Sequence, residues 1–129
     1  MDIKIRLFEE KDWPEMAIWF RIPPPEDVRG NFGLVAHRGE KNLAVGFLIP
    51  TAANFCLWEF VQTDEKAPLF SNAKAVKLLT EAAIKLAKEL GYKAILGFTP
   101  VKSKSLLKFY KSINAFIDET DFKLVVRRF

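Results

Sequence analysis

Two apolar segments, "ANFCLWEFVQT" and "YKAILGFT", flank one long amphipathic helix, expected from Asn72 to Leu90. Strand, helix and strand in that order require a parallel pair, because a hairpin turn cannot join parallel neighbours. The first segment is apolar on both alternations, as a strand covered on both faces would be. In the helix, Val76, Leu79, Ala83, Leu86 and Leu90 make one stripe. Ser71 can cap its start, and Gly91 is a natural left-handed stop.

The flanks complete the order. Ile3, Ile5 and Leu7 suggest a first strand. Asp12 followed by Glu15 reads as a capping box opening a short helix, Trp13 to Arg21, with Pro14 tolerated in the first turn. "RIPPPEDVRGNF" excludes helix and reads as a surface crossing. "NFGLVAHR" and "LAVGFLIP", joined by "GEKN", predict a hairpin. Thr99 caps a helix with Pro100 in its first turn, where Leu106, Phe109, Tyr110 and Ile113 oppose Lys104, Lys108 and Lys111; Asn114 ends it. "FKLVVRRF" is a last strand. The expected fold is a mixed α/β (α+β) sheet of about six strands with three main helices. One domain over residues 1–129 accommodates it.

Composition narrows the partners. Net charge is +4 and pI about 9.2, which favours an anionic partner without choosing one. One cysteine, Cys56, permits no intrachain disulfide and suits a cytoplasmic setting. "MDIKIRLFEE" does not read as a signal peptide, and no apolar run approaches the roughly 20 residues of a membrane span. The lone His37, at a strand end, reads as a surface residue, and no metal site is expected.

The order resembles the GNAT superfamily of N-acetyltransferases. "IKIRLFEEKDWPEM" is similar to that family's opening strand and capped helix. "LLTEAAIKLAKELGYKAI" resembles its cofactor helix and following strand, and "SLLKFYKSINAF" its late helix. The resemblance implies an acyl-CoA donor, acetyl-CoA by default, and an amine acceptor, small molecule or protein. It assigns cofactor binding to Val61, Gln62 and Thr63 in the fourth strand, to Lys66, to Ser71, Asn72, Ala73, Lys74 and Ala75 at the helix entrance, and to Ser103. The family's phosphate loop, Gln/Arg-x-x-Gly-x-Gly/Ala, aligns with Phe70 to Ala75. Phe70 cannot bond phosphate, and Ala73 adds a methyl where glycine allows the closest approach. Lys66 or Lys74 could supply the missing charge. This drift is similar to that of small phage-encoded members.

An amine attacks a thioester only when neutral, so a base is useful. Glu59, mid-strand between apolar residues, is the candidate base, and Tyr110 the candidate acid for the leaving thiolate. The alternative reading keeps the fold without catalysis, as a protein-binding module. The lysine face, with Lys102, Arg127 and Arg128, lacks the interleaved aromatics of a nucleic-acid platform. The last strand could pair across a homodimer or complete the monomer's sheet.

Overall fold

A computed structural model describes residues 2–97 and 104–112. They fall into two compact units, Met1–Phe98 and Thr99–Phe129. The first holds a five-stranded sheet in sequence order: β1 (Lys4–Leu7), β2 (Phe32–Arg38), β3 (Lys41–Ile49), β4 (Phe55–Thr63) and β5 (Ala94–Gly97). The first three pairings are antiparallel and β4–β5 is parallel. The parallel pair required by the strand–helix–strand order is therefore present. The sixth expected strand and the Thr99 cap lie outside the described residues.

Alternation along β2 and β3 sorts their residues onto two faces. Val35, Val45 and Phe47 pack with Phe8, Met16 and Trp19 on one face, beneath α1 (Trp13–Met16) and its flanking 3-10 turns. The Phe8 and Phe47 rings meet edge to face, 5.2 Å between centroids. The opposite residues, Leu34, Ala36, Ala44 and Leu48, are buried on the side where α3 (Leu69–Glu89) packs. Each large side chain removed from water here stabilises the fold by about 1.5–3 kcal/mol.

The buried face of α3 differs from the expected stripe. Val76, Leu79 and Ala83 are inside, joined by Ala75, Thr80 and Ala87. Leu86 is half-buried and Leu90 exposed. The small residues allow close approach to the sheet, so the helix turns its alanine side inward. Its end is as the sequence predicts. Gly91 takes φ +90°, its N–H bonds the Lys88 carbonyl, and the Tyr92 N–H bonds that of Ala87. Its start is earlier: Pro68 is the N-cap, so Ser71 lies in the first turn and caps nothing. Proline's fixed φ suits that entry, and its missing N–H is no loss there.

Two further expectations are corrected. Asp12 does not cap the first helix. The pairing runs from Glu9 to Asp12, whose Oδ2 accepts the Glu9 N–H at 2.9 Å. The segment is a 3-10 turn, then α1, then a second 3-10 turn ending at Trp19. The proline-rich crossing is not free of helix either. α2 (Glu26–Arg29) begins directly after Pro25, where proline belongs, and closes at Gly30. Arg29 then stacks on Trp13 at 4.4 Å and pairs with Glu10 at 3.0 Å.

Asp12 instead anchors a polar network under β1. Arg6 Nη1 and Nη2 donate to its two oxygens at 2.8 and 2.9 Å. Nη2 also donates to Asn42 Oδ1, and Asn42 Nδ2 donates to Glu15 Oε2. The hydrogen bonds from Arg6 hold the Asp12 carboxyl below the usual carboxylate range, against the opposing effect of burial. A carboxyl so lowered contributes stability above the unfolded value of about 3.9, lost as pH falls through the folded value beneath it. Asp12→Asn should therefore cost about 1–3 kcal/mol near neutrality. Urea titrations at stepped pH should show that difference shrinking only below about pH 4.

Candidate functional site

The irregularity in β4 decides the local chemistry. Phe47 pairs with Glu59 and Val45 with Gln62, so the single residue Gly46 faces two, Phe60 and Val61. This is a β-bulge, and Phe60 carries it with φ +55°, a left-handed conformation that costs a side-chain-bearing residue of order 1–3 kcal/mol. Phe60 repays part of that cost by packing against the Phe47 cluster. Across the bulge, Trp58 lies over Gly46: a Cβ there would come within 2.5 Å of the indole. Trp58 is also the last residue of β4 in the described pairing with β5, opposite Gly97.

Beyond Trp58, β4 runs on through Glu59–Thr63 with β3 on one side. Among the described residues no strand pairs with its other edge. Val61, Gln62 and Thr63 are half-buried in that stretch. An exposed strand edge can hydrogen-bond an extended amide-bearing chain as an added strand would. Glu59, also half-buried, stands opposite Phe47 and so shares the face beneath α1.

After Thr63 the chain turns into α3 through a loop built on Asp64. Its Oδ1 accepts the Lys66 N–H at 2.9 Å, and its carbonyl accepts the Ala67 N–H and Asn72 Nδ2. Asn72 thereby ties the helix to the loop, with its Oδ1 buried and unbonded among the described residues. With Pro68 as N-cap, the amides lacking a helical acceptor are those of Leu69, Phe70 and Ser71, since the Asn72 N–H already bonds the Pro68 carbonyl. Of the stretch Ser71 to Ala75, only Ser71 has an amide without a helical acceptor. Ala73, Lys74 and Ala75 lie inside the helix, and Ala75 packs on the sheet. Three aligned N–H groups at the positive end of a long helix suit an anion.

The side chains around this entrance divide. Leu69 and Phe70 are 85% and 82% exposed. Lys66 and Lys74 are exposed as well. Ser71 is buried, and its Oγ accepts Arg38 Nη1 at 3.3 Å from the end of β2. Sequence reasoning missed Arg38. Nothing near position 38 signals it, because the contact spans 33 residues and exists only once β2 and α3 share one end of the sheet.

The remaining candidates separate cleanly. Tyr110 lies half-buried on α4 (Lys104–Ser112), with its ring 5.5 Å from Phe109; Lys108 and Lys111 are exposed there. That helix belongs to the second unit. Ser103 lies outside the described residues. His37 is half-buried at the hairpin, its Nδ1 2.9 Å from the Gly39 carbonyl. Cys56 is buried, and burial pushes its thiol up, which suits packing and not nucleophilic attack. Among the described residues, no helix is long and apolar enough to cross a membrane.

No family model matches the sequence, and no curated protein sequence does. Solved structures do match. A transcriptional regulator from Bacillus halodurans C-125 superposes with TM-score 0.73 at 18% identity, over 97% of this chain and 100% of its own. An acetyltransferase from Trypanosoma brucei gives 0.69 at 18% identity, over 97% and 100%. An acetyltransferase from Bacillus subtilis in complex with CoA gives 0.65 at 21% identity, over 88% and 76%. At such identities the likeness is one of fold.

Gly46→Ala tests the packing that holds the bulge. The added methyl must displace the Trp58 ring, so the variant should lose about 1–3 kcal/mol. Denaturant unfolding followed by tryptophan fluorescence reads the loss; an unchanged midpoint contradicts it.

Proposed function

We propose that this chain, which has the GNAT acetyltransferase fold, is an acyl-CoA-dependent N-acyltransferase, with acetyl-CoA the default donor and an amine the acceptor. One observation carries the reading. A bulged strand stretch, Phe60–Thr63, whose second edge no strand pairs among the described residues, runs within a few residues into a helix start with three amides that lack a helical acceptor. That juxtaposition suits a ligand with amides at one end and phosphates at the other, which is the chemistry of coenzyme A.

Backbone groups of Val61, Gln62 and Thr63 bond the amides of the pantetheine arm. The Leu69–Ser71 amides face the diphosphate, which replaces the entrance assigned to Ser71, Asn72, Ala73, Lys74 and Ala75. The Glu59 carboxylate, directly or through water, takes a proton from the acceptor ammonium, and the neutral amine then attacks the thioester carbon. N–H groups of the bulged stretch stabilise the charge that develops on the thioester oxygen. As the C–S bond breaks, the departing thiolate takes up a proton and the nitrogen of the new amide gives one up; the donor role stays with Tyr110 only as the family resemblance assigns it. The acceptor side lies beneath the short α1 and α2, which favours an open site and a peptide or protein amine.

A second reading, a binding module that keeps the fold without catalysis, draws on one observation: Leu69 and Phe70 present apolar side chains at the helix entrance.

Thiol release from acetyl-CoA, measured with a panel of amines, separates the two. The enzyme reading predicts amine-dependent release, a fall in kcat of about a hundredfold in Glu59→Gln and a smaller fall in Tyr110→Phe. Binding of acetyl-CoA should stay within about twofold in Glu59→Gln, because a base acts on the acceptor. Acetyl-CoA binding with no turnover across the panel would favour the module.

A further inference from the structure

We propose that the outer face of α3, together with the apolar tip where it starts, docks on an anionic lipid bilayer surface. The proposal is independent of the acyl-CoA reading above.

α3 turns its alanine side to the sheet, which leaves the opposite side to solvent. At about 100° per residue, Phe70, Lys74, Lys77, Glu81, Lys85 and Lys88 fall in one row along that outer side. The row from Lys74 to Lys88 is about 21 Å long. Lys74, Lys85 and Lys88 are exposed and make no ion pair among the described residues. Glu81 sits four residues before Lys85, a spacing that favours pairing, yet the two do not pair. Exposed Glu65 and Lys66 flank the start of the helix, and exposed Glu89 and Lys93 its end. The flanks cancel, so the row keeps its excess of four lysines over one glutamate.

The start of the row is apolar. Leu69 and Phe70 are the two most exposed large apolar side chains among the described residues, and exposed Pro68 precedes them. A single exposed apolar residue is ordinary. Two adjacent ones on a fixed helical turn mark a contact surface. The turn is fixed because Asp64 holds the Lys66 amide and Asn72 Nδ2.

Lysines and a protruding apolar tip on one helix match the two layers of a bilayer interface. Ammonium groups meet anionic headgroups, while leucine and phenylalanine reach the acyl boundary. A nucleic-acid backbone would satisfy the lysines and leave the tip in water. The contact is peripheral, since α3 keeps its buried side on the sheet.

Co-sedimentation of the full chain with vesicles tests this, using phosphatidylcholine alone and an equimolar mixture with phosphatidylserine. The natural protein should bind the mixed vesicles and not phosphatidylcholine alone, and added salt should weaken the binding. Each of Lys74→Gln, Lys85→Gln and Lys88→Gln should weaken it by about fivefold. Leu69→Ser combined with Phe70→Ser should weaken it by about tenfold or more. A natural protein that does not bind the mixed vesicles overturns the proposal. So does unchanged binding by the folded double serine variant or by the folded triple glutamine variant. Tighter binding to duplex DNA, unimpaired by the serine substitutions, overturns it in favour of nucleic acid. Should a variant fail to fold, the natural protein decides: binding that ignores salt, or that is equal on the two vesicle types, overturns the proposal.

Discussion

β4 carries two residues, Phe60 and Val61, where β3 offers one, and the shape of the candidate site depends on that mismatch. A regular ladder would keep the strand flat against its neighbour. The extra residue bends it and raises its local twist. The bend is held from both faces. Phe60 packs with Phe47 on one side, and Trp58 covers Gly46 on the other. The Trp58 contact leaves no room for a larger residue at position 46. A strand fixed in this shape runs on through Phe60–Thr63, whose second edge no strand pairs among the described residues, and delivers the chain to α3 a few residues later.

The two ends of the site are supported differently. On the α1 face the support is apolar and ionic together. Arg6, Asp12, Asn42 and Glu15 form a connected network that ties β1 and β3 to α1 and the 3-10 turn before it. Removing one member leaves buried polar atoms without partners, which makes such networks all-or-none. On the α3 side the support is a set of backbone capture bonds around Asp64 and Asn72. Arg38 Nε and Asn72 Oδ1 are buried there without a hydrogen-bond partner among the described residues, as are Trp58 Nε1 and Thr80 Oγ1 elsewhere.

Much of this was legible in the sequence, and the misses have identifiable causes. The parallel pair, the hairpin and the Gly91 stop come from local rules of length and backbone freedom. The cap of α3 was misplaced by three residues because Ser71 is a better cap by residue type. Pro68 wins because the loop behind it is locked by Asp64, a contact invisible along the chain. The α3 stripe rotated toward alanine because sheet proximity outweighs side-chain size. Asp12 fits a capping pattern in both directions, and only the pairing with Arg6 selects the Glu9 side. The bulge gives no sequence sign at all: Phe60 is an ordinary strand residue until register with β3 forces its φ positive. Glu59 could be picked out as an acid in an apolar strand, but Arg38 could not be picked out, since its meaning depends on a partner 33 residues away.

Amide hydrogen exchange with and without acetyl-CoA tests the central claim most directly, because it reads the two backbone segments themselves. New protection is expected in two places, within Val61–Thr63 and within Leu69–Ser71, with β1 and the β2–β3 turn unchanged. Protection spread evenly over the sheet, or confined to the β1 side, would contradict that claim, as would no change at saturating ligand.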